Sequence, residues 1–284
     1  MLNIAVITPT RHVDGINSLL ESIGEVHYID HMSKDEVSSY LKSFNIDAIV
    51  CNPNKQDYVI DSNMLAGTKV KVINSCSTGL NHIDIKYCEA NNIEVQHHKN
   101  DIKLLKQLPS TSELAFGLLL NLVRNITSSS KDVYRGKWDY TKFIGHSIKG
   151  MKIGIVGYGR LGKMMYNYCE AFGANLKIYD PYVRDELSDQ FLLNHWSSTL
   201  EDLFEWSDAM SLHVHVTDET TEMINQKLLS TRSDLYLINT SRGAIVNEED
   251  ICKAIKDGNL AGYGTDVLAD EYNTNRNSSL ISLM

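Results

Sequence analysis

The chain has 284 residues, enough for two domains of ordinary size, and its 43% hydrophobic and 22% charged residues are typical of a soluble globular protein. Its formal net charge of −9 gives no electrostatic basis for binding nucleic acid or an anionic membrane surface. No apolar stretch is long enough to span a bilayer, so we expect neither nucleic acid nor membrane as a partner.

The five cysteines are scattered, odd in number and without a C-x-x-C pair, which argues against a disulfide framework or a zinc site. The N-terminal residues lack the basic and apolar regions of a secretory signal. We therefore expect a reducing, cytoplasmic location.

The first part of the chain alternates short apolar runs with amphipathic segments. Ser33 and Glu36 have the spacing of a capping box at the start of a helix. The predicted strands are residues 3–8, 26–29, 48–51, 70–74 and 93–96, and the predicted helices are residues 15–23, 33–44, 62–66 and 83–91. This alternation predicts a small parallel α/β domain over residues 1–100.

A long helix follows at residues 110–125, and its apolar composition on nearly every side predicts burial between domains or subunits. Residues 127–130, rich in serine and threonine, are predicted as a loop. The later strands are predicted at residues 153–156, 176–179, 208–216, 235–239 and 261–267, and the later helices at residues 161–172, 221–229 and 248–256. A second α/β domain is therefore predicted over residues 101–284.

The most informative stretch is a G-x-G-x-x-G motif between a predicted strand and a predicted helix. Gly157 permits a tight turn, Gly159 lets the backbone approach a pyrophosphate, and Gly162 lets the helix pack on the strand. Asp180 then stands at the tip of the next predicted strand, where a carboxylate accepts hydrogen bonds from a ribose 2′-hydroxyl and repels a 2′-phosphate. The motif predicts dinucleotide binding, with NAD favoured over NADP.

Several stretches resemble the D-isomer-specific 2-hydroxyacid dehydrogenases. They are Ser-Thr-Gly-Leu-Asn-His-Ile-Asp at residues 77–84, Ser-Glu-Leu at residues 112–114 with Arg124, Lys-Gly before the glycine motif, and residues 207–271. The last stretch is the most specific, because it contains Asn-Thr-Ser-Arg-Gly and a later Asp-Val-x-x-x-Glu. The phosphoglycerate dehydrogenase and hydroxypyruvate reductase branches resemble it most in loop texture.

The resemblance implies an α/β fold of two Rossmann-like domains with parallel sheets. The first, residues 1–100, is a flavodoxin-like substrate-binding domain without its usual C-terminal helix, and the second, residues 101–284, is a doubly wound NAD-binding domain. It also implies NAD as cofactor, a small 2-keto or 2-hydroxy acid as substrate, and a homodimer through the NAD-binding domain, with Trp138 and Tyr140 in a dimer arm. The implied cofactor-binding residues are Gly157, Gly159, Arg160, Leu161, Gly162, Asp180, His213, Thr240 and Asp266.

The resemblance implies hydride transfer between the cofactor and the acid. Arg242 matches the arginine that binds the substrate carboxylate and carbonyl, and its planar fork of donors suits that task. Glu271 matches the glutamate that hydrogen-bonds an acid/base histidine. The backbone amides of Ser77, Thr78 and Gly79 are implied to bind the substrate carboxylate.

The chain departs from the family pattern at the acid/base histidine, because no histidine follows Glu271. We expect a C-terminally truncated reading frame of a dehydrogenase, with severely impaired hydride transfer in these 284 residues. The alternatives are a non-catalytic NAD-binding or interaction module of the same fold, and an unstable product with exposed apolar surface.

Each position also has a purely structural interpretation. Arg242 could form a surface salt bridge, Glu271 a solvated carboxylate, and residues 77–79 an ordinary strand-to-helix turn. Asp266 could cap the next turn. His213 and His215 alternate on a predicted strand, but no third ligand accompanies them, and we therefore predict no metal site.

Overall fold

A computed structural model describes residues 1–52, 58–80, 82–269, 278 and 280 of the chain, apart from the side chains of residues 100, 102 and 189. The chain divides into two compact units, Met1–Gln107 and Leu108–Met284. Each unit contains a five-stranded sheet whose neighbouring strands are parallel. The predicted α/β class with two parallel sheets is confirmed.

The first unit alternates strands and helices along the chain. Its elements are β1 (Leu2–Val6), α1 (Ile16–Ile23), β2 (Gly24–Tyr28), α2 (Lys34–Ser43), β3 (Ala48–Cys51), α3 (Ser62–Leu65), β4 (Val72–Ser75), α4 (Ile85–Ala90), β5 (Glu94–His97) and α5 (Ile102–Leu105). The strand order is β2-β1-β3-β4-β5. The predicted capping box starts α2, where the amide and the hydroxyl of Ser33 donate to the Glu36 carboxylate. Buried side chains such as Leu41 and Ile49 form the core of this unit.

The second unit has the same alternation over a longer chain. Its elements are α6 (Ser110–Val123), α7 (Ile126–Tyr134), β6 (Lys152–Val156), α8 (Arg160–Ala171), β7 (Asn175–Tyr179), α9 (Asp189–His195), α10 (Leu200–Trp206), β8 (Ala209–Leu212), α11 (Gln226–Leu229), β9 (Leu235–Asn239), α12 (Glu248–Lys256) and β10 (Leu260–Thr265). The order β10-β9-β8-β6-β7 adds β7 on one side of β6 and β8 on the other. The carboxyl ends of β6 and β8 are therefore the topological switch point, where open α/β sheets bind ligands.

Helix α6 buries one face on the sheet of its own unit. Leu119 and Val123 are buried in the same core as the strands, and Leu122 lies directly over Gly262 of β10. On another side of the helix Leu114 is 43% exposed. Part of the burial that the apolar composition predicted thus arises within the second unit.

The predictions for two helical segments of the second unit were wrong. Residues 127–130, expected as a loop, lie in α7, because Asn125 breaks the path with a φ of 55° and the Asn121 side-chain oxygen accepts from the amide and hydroxyl of Thr127 at the new helix start. The helix expected at residues 221–229 begins only at Gln226, because Glu222 has a φ of 49° and Ile224 forms a bridge with Val246.

None of the helices in the described part of the chain combines the length and the apolar composition needed to cross a bilayer.

Candidate functional site

The glycine motif forms a tight turn between β6 and α8. Gly157 has a φ of +86°, and a Cβ there would lie 2.5 Å from the His213 carbonyl oxygen. A Cβ at Gly162 would lie 1.9 Å from the Gly157 carbonyl oxygen. Only glycine at these two positions lets α8 start this close to the strand.

Gly159 is different, because the space beside it is open. It is the residue before α8, and a Cβ there would meet no protein atom within 4 Å. The packing of the described residues therefore gives no reason for a glycine. A ligand that approaches the backbone gives such a reason. The unpaired N–H groups and the positive dipole end of α8 favour an anionic ligand at this position.

Arg160 and Leu161 are the first residues of α8 and fix its start. Nη1 of Arg160 donates to the Leu108 carbonyl at 2.6 Å, and the hydroxyl of buried Ser112 donates to the Leu161 carbonyl at 2.9 Å. Desolvation lowers the pKa of the Arg160 guanidinium, which nevertheless remains charged at neutral pH. A fixed helix start supports a preorganised anion site.

Asp180 follows β7 and is only 9% exposed. Its Oδ2 accepts from the Tyr158 amide at 2.7 Å and its Oδ1 accepts from the Tyr182 amide at 2.9 Å. The first of these bonds ties the carboxylate to the glycine turn. Each carboxylate oxygen can accept further hydrogen bonds, so the orientation suits a ribose hydroxyl.

His213 follows β8 at the switch point. Its amide donates to the Val156 carbonyl at 2.7 Å, and its Nε2 lies 2.8 Å from the Ser211 hydroxyl. Burial lowers the pKa of His213 to about 4, so the imidazole is neutral at pH 7. β8 ends at Leu212 and His215 is exposed, so the predicted alternation of the two histidines on one strand is wrong.

Arg242 lies in the loop that follows β9. The side-chain amide of Asn239 donates to the Arg242 carbonyl at 2.9 Å, and Nη1 of Arg242 donates to the Ser241 carbonyl at 2.6 Å. Thr240 is 6% exposed, and its hydroxyl has no hydrogen-bond partner among the described residues. A buried hydroxyl without a partner is costly, which supports a ligand contact at Thr240.

The chain after β10 crosses the Arg242 loop at close range. A Cβ at Gly243 would lie 1.9 Å from the Leu268 carbonyl carbon. Desolvation by the surrounding protein raises the pKa of Asp266, and the positive charge of Arg242 opposes that rise. Arg242 and Asp266 are therefore electrostatic neighbours at the carboxyl edge of β9 and β10.

In the first unit, the loop of Ser77, Thr78 and Gly79 follows β4. The Ser77 hydroxyl donates to the Gly79 carbonyl at 2.7 Å, and its oxygen lies 2.8 Å from the Ser75 hydroxyl. The Ser75 hydroxyl in turn lies 2.9 Å from Nε2 of fully buried His82.

Counting hydrogens orders this chain of contacts. Ser77 uses its one hydroxyl hydrogen on Gly79, so the hydrogen between the two serines must come from Ser75. The hydrogen between Ser75 and His82 then comes from Nε2, which also lies 3.8 Å from the Cys51 sulfur. His82, predicted only as a helix-start residue, is therefore a donor that supports the Ser77 loop from below, and α4 begins later, at Ile85.

Glu271 lies outside the described residues. Within the described ranges, no group of three or more His, Cys, Asp or Glu side chains could hold a metal ion.

Sequence reasoning missed the Tyr158 amide, the Ser112 hydroxyl and the His82 donor. Each acts through a partner at least seven residues away, at sequence separations of 22, 49 and 7 residues respectively. Ser112 did stand in a stretch resembling the family, but that resemblance assigned it no partner.

The residues present fit a dinucleotide: an open glycine at a helix start, a carboxylate at the next strand tip, and an unpartnered buried hydroxyl at the far side of the switch point. A doubly wound parallel sheet with these features defines a dinucleotide-binding protein of the Rossmann class.

Sequence comparison then identifies the family. Residues 116–283 match the family model described as D-isomer specific 2-hydroxyacid dehydrogenase, NAD binding domain, and residues 4–104 match the catalytic domain of the same family. The chain belongs to the D-isomer-specific 2-hydroxyacid dehydrogenases, a family of NAD-dependent oxidoreductases, and its second unit is the NAD-binding domain. The predicted family and the predicted cofactor are confirmed.

Individual relatives have low sequence identity to this chain. The chain is 27% identical over 267 residues to a D-3-phosphoglycerate dehydrogenase of Methanocaldococcus jannaschii, an alignment that covers 94% of this chain and 49% of the relative. It is 32% identical over 225 residues to a glyoxylate reductase of Thermococcus litoralis, covering 75% of this chain and 65% of the relative. The chain thus spans about half the length of the phosphoglycerate dehydrogenase that it matches.

Solved structures show the same fold. A D-lactate dehydrogenase from Aquifex aeolicus, complexed with NAD and lactic acid, superposes with a TM-score of 0.75 at 25% identity, over 95% of this chain and 78% of that one. An NAD-dependent formate dehydrogenase from Staphylococcus aureus, in complex with NAD, superposes with a TM-score of 0.79 at 23% identity, over 98% and 84%. The second likeness concerns the fold alone.

Proposed function

We propose that this chain binds NAD and a small 2-keto or D-2-hydroxy acid, and that its lineage interconverts the two by hydride transfer. The observation that supports this most is the position of Arg242. It follows β9 at the carboxyl edge of the sheet that binds the cofactor, beside a buried hydroxyl without a partner at Thr240. Bound NADH supplies the hydride, and the chain supplies binding, orientation and charge.

Arg242 is the proposed substrate-binding cation. A guanidinium presents a planar fork of donors that binds a carboxylate bidentately and also polarises a neighbouring ketone oxygen. The Asn239 side chain holds the Arg242 backbone, so the charge is positioned before the substrate arrives. Asp266 is a neighbouring acid, proposed to contact the cofactor. In the first unit, the amides of residues 77–79 are proposed to bind a substrate carboxylate.

Proton transfer is the step for which the sequence offers the fewest candidates. The ten histidines end at His215. Burial lowers the pKa of His213 to about 4, so it is a poor proton donor at neutral pH. We therefore expect the 284-residue polypeptide to bind NADH and a keto acid but to turn over slowly. This same observation favours the second candidate, an NAD-binding module without turnover.

Binding and turnover can be measured separately. NADH is titrated by fluorescence, then oxamate, an unreactive analogue of a 2-keto acid, is titrated into the NADH complex, and glyoxylate, pyruvate and hydroxypyruvate are screened for NADH oxidation. Oxamate binding to the complex supports the dehydrogenase lineage. NADH binding without any response to these acids supports the module, and full turnover would contradict the expected impairment.

Arg242→Lys is the sharpest variant, because it keeps the charge and removes the fork. We expect oxamate affinity to fall at least about tenfold, a loss of roughly 1.4 kcal/mol or more, while the NADH Kd stays near the wild-type value. Arg232→Lys is the matched control, since Arg232 forms its ion pair with Asp208, a residue that precedes β8. Equal oxamate affinity in the Arg242 variant and the wild type would refute the assignment.

We also propose a reducing compartment, because all five cysteines are free thiols.

We further propose a homodimer through the second unit. The stretch between α7 and β6 leaves Trp138, Tyr140 and Ile144 largely exposed, which supports an interface there.

A further inference from the structure

A hydrogen bond outside the residues assigned so far joins two loops of the second unit. The hydroxyl of Tyr182, in the loop after β7, donates to the Glu219 carboxylate, in the loop after β8, at 2.5 Å. β6 lies between β7 and β8 in the sheet. The bond therefore spans the carboxyl end of β6, where the glycine turn begins.

Both partners are attached to fixed backbone. The Tyr182 amide donates to Asp180 at 2.9 Å. On the other side, the Thr217 amide donates to the Thr220 hydroxyl at 2.8 Å, and that hydroxyl donates to the His215 carbonyl at 2.6 Å, which braces the turn that carries Glu219. The two side chains meet across the switch point although Tyr182 itself is 74% exposed.

The charge around the Tyr182 hydroxyl is negative from two directions. The hydrogen bond and charge of Glu219 raise the pKa of Tyr182, and the charge of Asp180 raises it further. The phenol thus remains a protonated donor at neutral pH. A single tyrosine connects the two carboxylates, with Asp180 at its amide end and Glu219 at its hydroxyl end.

We propose that Glu219, held in place by Tyr182, is a second determinant of the preference for NAD over NADP. Asp180 marks the position of the adenosine ribose, and a 2′-phosphate added to that ribose would enter the field of both carboxylates. This inference rests on the NAD-binding role of the second unit and needs no turnover.

The test measures NADH and NADPH dissociation constants by fluorescence for the wild type and three variants of the full chain. Glu219→Gln keeps an acceptor for Tyr182 and removes the charge. We expect its NADPH Kd to fall about tenfold, equivalent to roughly 1.4 kcal/mol, with the NADH Kd within about twofold of wild type. Tyr182→Phe frees the carboxylate without removing it, so its NADPH Kd falls by a smaller factor.

Glu205→Gln is the matched control, because Glu205 is an exposed acid of α10. Since α10 precedes β8, it lies near the amino end of that strand, away from the carboxyl ends that carry Tyr182 and Glu219. It should leave both dissociation constants unchanged. Raising the salt concentration to about 1 M, where the Debye length is about 3 Å, should remove most of the difference between Glu219→Gln and the wild type.

The inference is overturned if Glu219→Gln leaves NADPH binding unchanged, if Glu205→Gln improves it equally, or if NADH binding changes as much as NADPH binding. An unaltered NADPH Kd in Tyr182→Phe would show that Tyr182 is not needed to hold Glu219 in place. A wild-type chain that fails to bind NADH would overturn the NAD assignment itself, a result distinct from a failure of Glu219 to discriminate.

Discussion

Asp180, His82 and Arg242 each take part in hydrogen bonds that fix a loop around them. Asp180 receives one amide from the glycine turn and one from its own loop. His82 acts on the Ser77 loop through an intervening serine. Arg242 is held through its carbonyl by Asn239. These hydrogen bonds depend on the folded loops, and the sequence patterns that indicated Asp180 and Arg242 do not report them.

The series of hydrogen bonds from His82 through Ser75 and Ser77 to Gly79 leads to a prediction about the loop of residues 77–79. His82→Phe leaves the buried Ser75 oxygen without its donor, so we expect the free energy of unfolding to fall by about 1–3 kcal/mol. It should also weaken oxamate binding while the NADH Kd stays constant. Chemical denaturation and fluorescence titration measure the two effects.

His82→Gln is the conservative partner in that experiment, since its amide can place an N–H near the position of Nε2. Recovery of oxamate affinity in His82→Gln supports the donor role. If both variants lose stability and affinity equally, packing and not the hydrogen bond explains the contribution of His82. Ser77→Ala provides an independent break in the same chain of contacts.

At the scale of whole elements, the turn that leads into α8 contains two glycines that are required for different reasons. At Gly162 the constraint is internal, because a Cβ would lie 1.9 Å from a carbonyl oxygen. At Gly159 the described protein leaves open space. The sequence motif assigns ligand approach to Gly159 and helix packing to Gly162, and the space around the two glycines differs in the same way.

We predict that alanine at both glycines weakens NADH binding, but that only alanine at Gly162 costs much stability. Gly162→Ala forces α8 away from the turn, so it should cost about 1–3 kcal/mol of stability, the usual range for overpacking, and also weaken NADH binding. Gly159→Ala should cost less stability, since its φ of −74° suits alanine, yet weaken NADH binding at least about tenfold. Thermal unfolding and NADH titration of both variants provide the comparison; equal stability losses would contradict it.

Elements with strong local signals were predictable from sequence. The capping box of Ser33 was confirmed, and α12 spans Glu248–Lys256, as its amphipathic pattern predicted. α7 was missed because its serines and threonines disfavour a helix interior, and a side chain from α6, Asn121, supplies its start. The bond between Tyr182 and Glu219 joins residues 37 apart in sequence, and no periodicity reports such a contact.

At the scale of the molecule, the surface between α7 and β6 is unusual. Tyr134, Trp138 and Tyr140 are 91%, 86% and 81% exposed, respectively. Aromatic side chains gain much free energy when they are buried against a partner, and they are enriched in protein interfaces. This supports the proposed homodimer through the second unit.

Replacing both Trp138 and Tyr140 with alanine should convert the dimer to a monomer, because the replaced side chains supply the anchors of the interface. Light scattering after size-exclusion chromatography measures the mass. Leu193→Ala is the matched control, since Leu193 in α9 is also 86% exposed, and it should remain dimeric. A wild-type chain that is monomeric at high concentration would refute the proposal.

The strand order has a consequence for how independently the two proposed binding positions can be changed. Asp180 follows β7 and Arg242 follows β9, so three inter-strand steps of roughly 4.8 Å, about 14 Å in all, separate the strand ends that carry them. Substitutions that far apart without shared partners combine almost independently. With the roles proposed for Asp180 and Arg242, nucleotide binding and carboxylate binding can thus be altered in separate steps, without readjusting one each time the other is changed.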